Sequence, residues 1–260
     1  MASVMEGAEG WSATGTGDRA RVGIAVVHGF TGNPISVRPT GERLHAEGWT
    51  VEVPRLPGHG TSWRDLAMTR WEDWLGTVNG VVDDLVGRCD QVVLIGLSMG
   101  GALCLDVATR RPDEIAGVAA INTPILPRDG LLARAAPLLR WVVPVVPRDL
   151  ADLPTGDIAM EGADEHAYAL VPAASGLSLN RALPAIRSRL DRLTMPVLVA
   201  WSPQDHTVPP KNSQWLVEQL EERDVTTFVC ERSYHVATLD HDADDLHDAL
   251  VAFVARATGS

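Results

Sequence analysis

The 260-residue chain has few of the features that mark secreted, membrane-spanning or metal-binding proteins. Its three cysteines, Cys89, Cys104 and Cys230, are odd in number, widely spaced and set in or beside apolar runs. We interpret them as free thiols, with no disulfide framework and no metal-ligand spacing. No apolar stretch approaches the length of a spanning helix. The N-terminus lacks the cationic start and apolar core of a signal peptide, so the expected location is the cytoplasm.

Positive charge is also scarce. The chain has 22 Lys and Arg against 34 Asp and Glu, a formal net charge of −12. This balance argues against nucleic-acid binding and against anchoring on anionic membranes, whereas a neutral or lipid-like substrate is unaffected. An apolar content of 45% is ordinary for a globular protein, and the length suits one large domain or a core with one insertion.

Short apolar runs alternate with helix-like segments, the pattern of an α/β protein whose parallel sheet is covered on both faces. The predicted strands are residues 22–27, 50–53, 91–95, 115–121, 196–201 and 225–230, and the predicted helices are 36–47, 70–87, 99–110, 212–222 and 240–257. Residues 1–20 are expected to be a flexible tail, and residues 21–123 and 194–260 the core. Residues 124–193 interrupt the alternation and are expected to form a lid over substrate, or else a structural cap.

A tight turn containing a serine follows the third predicted strand. Ser98 lies between Gly96 and Gly100, in a Gly-x-Ser-x-Gly pentapeptide that precedes a predicted helix. A serine in this position is the nucleophile of an acyl-transfer enzyme, because the turn exposes its hydroxyl at the helix N-terminus. Glycines on both sides relieve the clash that larger side chains would make with the turn.

A serine hydroxyl needs a neighbouring base that is itself oriented by a carboxylate. In this kind of sheet the chain order is serine, acid, histidine. Asp205 follows the fifth predicted strand and His235 follows the sixth, so both are expected at the same sheet edge as Ser98. Rival side chains fail on location: Asp191 precedes its strand, and His247 belongs to the last predicted helix, where we expect it to face solvent.

The tetrahedral intermediate of acyl transfer also needs hydrogen-bond donors. We expect the backbone N–H groups of Met99 and Phe30, the latter in the loop after the first predicted strand. The Phe30 ring is also expected to line the acyl pocket. His28 is interpreted as a structural hydrogen-bonding residue, and residues 57–60 as a tight loop at the rim of the site.

Five segments carry a family resemblance: HGFTG (28–32), PRLPGHG (54–60), GLSMGG (96–101), SPQDHTVPP (202–210) and SYHVATLD (233–240). In this order they resemble the α/β-hydrolase fold serine esterases, and more closely the bacterial monoacylglycerol lipases and small thermostable carboxylesterases. The resemblance implies an eight-strand-type sheet lacking its first strands, a small cap and no cofactor. It assigns the same nucleophile, acid, base and oxyanion donors as the reading from the residues.

For the cap, the resemblance implies two further features. An acidic residue that meets the glycerol hydroxyls would be Glu165, although an acidic run of this kind is more often a solvated face. The apolar residues 131–147 would dock transiently on lipid surfaces and line the acyl tunnel.

The leading hypothesis is an esterase whose substrate is a small lipid or ester: it cleaves monoacylglycerols, releasing a fatty acid and glycerol through an acyl-Ser98 intermediate. The alternatives are a general carboxylesterase on short simple esters and, from another class, a ligand-binding protein on a hydrolase fold. Haloalkane dehalogenases and epoxide hydrolases need an aspartate nucleophile, which Ser98 excludes. The sequence predicts neither acyl-chain preference nor oligomeric state.

Overall fold

The structure, a computed structural model, describes residues 2–127, 144–148, 154 and 156–260. Its strands are β1 (Trp11–Ala13), β2 (Val22–Val27), β3 (Thr50–Val53), β4 (Gln91–Leu97), β5 (Gly117–Ile121), β6 (Val145–Pro147), β7 (Leu170–Pro172), β8 (Val197–Trp201) and β9 (Val225–Val229). Its α-helices are α1 (Arg38–Ala46), α2 (Trp63–Ala67), α3 (Trp71–Arg88), α4 (Met99–Arg110), α5 (Ala173–Arg187), α6 (Lys211–Gln219) and α7 (Ala243–Thr258).

Within the described residues, seven strands form one sheet in the order β1-β3-β2-β4-β5-β8-β9. All neighbouring pairs in it are parallel except β1 with β3. The six predicted strands and five predicted helices are confirmed, with small shifts at their ends. Strands β6 and β7 form a separate antiparallel pair within the predicted cap.

The central strands are buried on both faces, which explains their continuous apolar sequences. In β2, Ile24 and Val26 point to the face covered by α1 and α7, while Ala25 and Val27 point to the face covered by α3 and α4. This arrangement brings the carboxyl ends of the parallel strands to one edge of the sheet.

The flexible tail expected for residues 1–20 is not what the structure has. Trp11–Ala13 form the antiparallel edge strand β1, and Ala8 is fully buried. A Cβ on Gly15 would lie 2.1 Å from the carbonyl oxygen of Gly48. Gly15, one of the glycines that suggested a loose segment, is therefore needed here for close backbone packing.

His247 also departs from expectation. It is buried, and its Nε2 lies 2.9 Å from Thr40 Oγ1 on α1. Burial lowers the pKa of this imidazole below its usual value. The reason is that α7 packs against α1, so a histidine that looked exposed in an acidic segment faces the neighbouring helix.

The segment predicted as a cap, residues 124–193, contains a long helix, α5, that the sequence analysis did not predict. Most of the apolar segment 131–147, expected to contact lipid, lies outside the described residues. None of the described helices combines the length and apolar character that crossing a bilayer requires.

Candidate active site

Ser98 occupies the turn between β4 and α4 in a conformation that L-amino acids rarely adopt. Its φ and ψ angles are 56° and −124°, and it is the N-cap of α4. Its amide donates a hydrogen bond to the carbonyl of Ile121 at the end of β5, with an N···O distance of 2.8 Å. The strained residue is therefore held by the neighbouring strand, as is common where strain serves function.

Two glycines allow this turn because backbone crowds the place where a side chain would be. A Cβ on Gly96 would lie 2.2 Å from the carbonyl carbon of Gly100, and a Cβ on Gly100 would lie 2.1 Å from the carbonyl oxygen of Val27. Backbone atoms of a central strand and of the buried helix α4 cannot move aside cheaply. The turn therefore tolerates no larger residue at either position.

Replacing Gly100 by alanine is expected to lower the free energy of unfolding by about 1–3 kcal/mol or more, the usual cost of overpacking. Gly76→Ala is the matched control, because Gly76 is an exposed residue of α3 with open space around its Cβ position. That variant should gain about 0.5–1 kcal/mol, since alanine favours helix. Urea denaturation measures both changes, and a Gly100→Ala variant as stable as the parent would contradict the crowding.

Asp205 and His235 lie together as the sequence predicted. His235 Nδ1 is 2.8 Å from Asp205 Oδ2, and both side chains are buried. Asp205 Oδ1 accepts hydrogen bonds from the amides of Thr207 at 2.8 Å and Val208 at 2.7 Å. A carboxylate only accepts, so Nδ1 carries the proton and Nε2 keeps a lone pair that can accept another.

The surroundings of His235 act on its pKa in two directions. Burial alone would lower the pKa, but the charge and hydrogen bond of Asp205 outweigh burial and raise the pKa above its usual value of 6.5. The carboxylate of Glu165 adds to the upward shift. The imidazolium form is therefore stabilised here, which suits a base that must carry a proton during a reaction.

Asn122 connects the histidine to the serine turn. It follows β5 with a positive φ of 45°, and its Nδ2 donates to the carbonyl of His235 at 2.7 Å. Its Oδ1 accepts from the amide of Ser202 at 2.8 Å. Because Ile121, the preceding residue, accepts from the Ser98 amide, one strand end supports both segments. Sequence reasoning missed Asn122.

The loop after β2 lies against Ser98. A Cβ on Gly29 would be 3.1 Å from Ser98 Cβ, so glycine permits this approach. Among the described residues, the amides of Phe30 and Met99 donate to no protein acceptor. Both remain available to a substrate oxygen, as an oxyanion hole requires. The Phe30 ring packs near Trp74, at 5.7 Å between centroids.

His28 holds this loop in place, as expected of a structural residue. Its Nε2 accepts from the amide of Leu56 at 3.1 Å, and its Nδ1 lies 2.9 Å from the carbonyl oxygen of Gly29. Burial lowers the pKa of His28 to about 4, so the ring is neutral at neutral pH. The hydrogen bonds tie the loop after β2 to the loop after β3.

Glu165 lies against the same loop, at Gly32, and is buried rather than on a solvated face. Its Oε2 is 3.1 Å from the Cβ position of Gly32, and Arg148 Nη2 lies 3.7 Å from its Oε1. That distance makes an ion pair but is too long for a hydrogen bond. Burial raises the pKa of Glu165, although the Arg148 charge acts in the opposite direction.

The sequence profile of the family described as serine aminopeptidase, S33 matches residues 18–242, which include the serine turn, Asp205 and His235. The chain belongs to that family. As a member of the S33 family it is an α/β hydrolase, and the predicted fold class is confirmed.

The relatives of this S33-family chain include ester hydrolases. It is 36% identical to a thermostable monoacylglycerol lipase from Bacillus sp. (strain H-257), over 98% of each chain. It is 24% identical to a carboxylesterase from Bacillus subtilis (strain 168), over 92% of this chain and 94% of the relative. A solved structure of the metagenome-derived lipolytic enzymes LipS and LipT superposes with a TM-score of 0.87 and 33% identity, over 98% of this chain and all of that one.

Two further carboxylates of this S33-family member support the site, and the sequence analysis missed their roles. Asp157 accepts from the amide of His206 at 3.0 Å and from Thr207 Oγ1 at 3.0 Å, next to Asp205. Asp240 accepts from the amides of Tyr234 and Ala159, at 2.8 and 2.7 Å. Each joins the segment predicted as a cap to a loop that carries Asp205 or His235. No local pattern in the sequence points to such contacts.

Within the described ranges, no cluster of three or more His, Cys, Asp or Glu side chains is placed to hold a metal ion.

Proposed function

We propose that this protein is a serine esterase that cleaves monoacylglycerols to a fatty acid and glycerol. The observation that carries the proposal is a buried carboxylate, Glu165, against the loop that also approaches Ser98. Its Oε2 lies 3.1 Å from the Cβ position of Gly32, and the Cβ position of Gly29 lies 3.1 Å from Ser98 Cβ. The Asp205–His235 pair activates Ser98 for ester hydrolysis, and the additional carboxylate provides a polar binding site for the alcohol part of the substrate. The relationship to a monoacylglycerol lipase supports the same substrate.

In the proposed mechanism, Ser98 Oγ attacks the ester carbonyl while His235 Nε2 takes the hydroxyl proton. Asp205 holds the imidazole in the required tautomer and stabilises the imidazolium. The amides of Phe30 and Met99 stabilise the negative oxygen of the tetrahedral intermediate. His235 then protonates the glycerol alkoxide as it leaves, which gives acyl-Ser98. Water attacks the acyl-enzyme by the same steps and releases the fatty acid.

Glu165 is proposed to accept hydrogen bonds from the glycerol hydroxyls. Within the described part of the chain, its carboxylate accepts no hydrogen bond, and Arg148 stays 3.7 Å away. A buried carboxylate without donors is costly unless something satisfies it. A diol bound at the leaving-group side of His235 would do so, whereas a methyl or ethyl alcohol leaves fewer donors or none.

Residues 124–193 are proposed to act as the cap of this site. Gly176 on α5 places its Cβ position 3.8 Å from the Phe30 ring, so the cap helix packs on the loop that carries an oxyanion donor. Tyr168 Oη donates to the carbonyl of Gly58 at 2.9 Å and accepts from the amide of Thr61 at 2.7 Å. The rim loop predicted at residues 57–60 is thereby joined to the cap.

A general carboxylesterase is the second candidate, and the B. subtilis relative favours it. It would use the same serine, histidine and aspartate, but the alcohol part of the ester would matter little. The two functions differ in what Glu165 contributes.

Glu165→Gln is expected to lower kcat/KM for monoacylglycerols by about tenfold, because hydrogen bonds to charged groups contribute roughly 1.5–3 kcal/mol. Hydrolysis of the methyl ester with the same acyl chain should change by less than about twofold. Asp164→Asn is the matched control: Asp164 is an adjacent carboxylate with an exposed side chain. Equal losses on both esters in Glu165→Gln would leave Glu165 without a substrate role and favour the carboxylesterase.

A further inference from the structure

Arg148 is a buried cation that directly follows β6 in the cap, and its side chain is 4% exposed. Its Nη1 donates to Thr31 Oγ1 at 2.6 Å, its Nε donates to the carbonyl of Pro154 at 3.1 Å, and its Nη2 faces Glu165. Its amide donates to the carbonyl of Ala169 beside β7. One guanidinium from the cap therefore contacts both the loop after β2 and the carboxylate proposed to bind glycerol.

Thr31 is the strained residue of that loop. Its φ is 63°, a left-handed conformation that a β-branched residue rarely adopts. Its Oγ1 donates to the carbonyl of Phe30 at 2.6 Å while accepting from Arg148, and its own carbonyl accepts from the amide of Tyr168 at 3.0 Å. A conformation of this kind persists only where the surroundings hold it, and here two of the contacts come from the cap.

Without Arg148, the surroundings of Glu165 would favour its neutral form more strongly. Burial raises the pKa of Glu165, and the negative charges of Asp164 and Asp157 act in the same direction. The charges of Arg148 and His235 oppose this shift, with Arg148 the stronger. His235 is charged for only part of the reaction cycle, whereas a guanidinium is always protonated. Arg148 therefore supplies the permanent positive charge beside Glu165.

We propose that Arg148 is a positioning residue through which the cap sets both sides of the site: it fixes Thr31, and with it the Phe30 amide, and it holds Glu165 as an oriented carboxylate. The inference rests on the proposed function for its Glu165 half. The Thr31 half needs only ester hydrolysis at Ser98. A planar guanidinium presents its donors on separate nitrogens, so Arg148 bonds Thr31 through Nη1 while Nη2 faces Glu165.

An ordinary ion pair between cap and core is the alternative. In that case, removing Arg148 would destabilise the fold and lower all activities in proportion to the folded fraction. The positioning role makes a different prediction, because it changes kcat per folded site and changes the ratio between two substrates.

The test compares kcat and KM for a monoacylglycerol and for the methyl ester of the same acid, with rates normalised to sites titrated by a fluorophosphonate. In Arg148→Met, we expect kcat to fall about tenfold on both esters, since a misplaced group near the reacting atoms costs up to about a hundredfold. We also expect the ratio of kcat/KM for monoacylglycerol to that for methyl ester to fall by about a further tenfold. Without Arg148, the charge-assisted contact between the Glu165 carboxylate and the glycerol hydroxyls is lost.

Three variants separate the two halves. Thr31→Val, which removes the hydroxyl at constant shape, should lower kcat on both esters and leave the ratio unchanged. Arg148→Lys should retain more of the ratio than Arg148→Met, because the charge beside Glu165 is kept. Combining Arg148→Met with Glu165→Gln should lower the ratio no further than Glu165→Gln alone, because groups that act through one another are not additive.

Two outcomes would overturn the proposal. One is a double variant in which the two losses in the monoacylglycerol-to-methyl-ester ratio multiply. The other is an Arg148→Met variant in which both this ratio and kcat are unchanged. Failure of the proposed function has a different signature: the unaltered protein would show no preference for monoacylglycerol over methyl ester. The methyl ester alone would then still test the Thr31 half. Arg148→Met and Thr31→Val should each lower kcat on this ester, and combining the two should lower kcat by less than the product of the two losses.

Discussion

Replacing Ser98 by alanine is expected to lower ester hydrolysis by at least roughly a thousandfold in kcat, because loss of the nucleophile leaves only binding and oxyanion stabilisation. The same variant should lose covalent labelling by a fluorophosphonate, since the probe reacts with an activated serine hydroxyl. The turn itself should survive. Its crowding involves Gly96 and Gly100, and the Ser98 amide that bonds Ile121 is unaffected by a change of side chain.

Ser188→Ala is the matched control for this experiment. Ser188 is exposed at the end of α5, and its hydroxyl donates only to the carbonyl of Ala185 among the described residues. That variant should label and turn over like the parent. Labelling of Ser98→Ala at the parental rate would place the reactive group elsewhere, and absence of labelling in the parent would favour the ligand-binding alternative.

The parts of this fold that could be predicted from sequence are those with a local signal. Each central strand is an apolar run bounded by turn residues, and each lies where predicted because burial on both faces demands such a run. The serine turn carries its own steric requirement in its glycines. Asp205 and His235 could be selected over rival side chains because parallel strands bring their carboxyl ends to one edge.

What could not be predicted depends on contacts between distant segments. Arg148 meets Thr31 across 117 residues, Asp240 meets Ala159 across 81, and Asp157 meets His206 across 49. A single buried carboxylate or guanidinium has the same local sequence context as an exposed one. For this reason the residues alone favoured a solvated face for Glu165, and only the family resemblance pointed to a role.

The edge strand β1 illustrates the same limit in a simpler setting. Glycine and small polar residues dominate the first part of the chain, a composition shared by loose tails and by tightly packed backbone. Only the presence of β3 beside it decides between these outcomes, and pairing with β3 is a long-range event. Local sequence therefore predicts the scaffold well and the connections between cap and core poorly.

Asp205→Asn is expected to lower kcat by about ten-thousandfold, the size of effect that follows when the histidine adopts the wrong tautomer. The side-chain amide introduced at position 205 can still accept hydrogen bonds through Oδ1 from the backbone N–H groups of Thr207 and Val208. Its NH₂ group then faces His235 Nδ1 and donates to it, which moves the imidazole proton to Nε2. A protonated Nε2 cannot accept the Ser98 proton.

The same substitution should also move the pH profile, in a direction fixed by the two opposing influences on His235. The base works only when neutral, so activity is lost as pH falls through the pKa of His235, which Asp205 raises above 6.5 in the parent. With the carboxylate gone, the lowering effect of burial is left less opposed, and the acidic limb of kcat/KM should shift to lower pH. Rates measured between about pH 5 and pH 9 would cover the acidic limb in both the parent and the variant.

Asp191→Asn is the control, because Asp191 is exposed beyond the opposite end of β8 and was the rival acid in the sequence. Its rate and its pH profile should match those of the parent. A large rate loss in Asp205→Asn with an acidic limb that does not move would show that a group other than His235 titrates in this range. A limb that moves to higher pH would contradict the hydrogen bond and charge of Asp205 as the cause of the raised pKa. The joint outcome, slower and active to lower pH, follows only if one carboxylate both fixes the tautomer of His235 and stabilises its charged form.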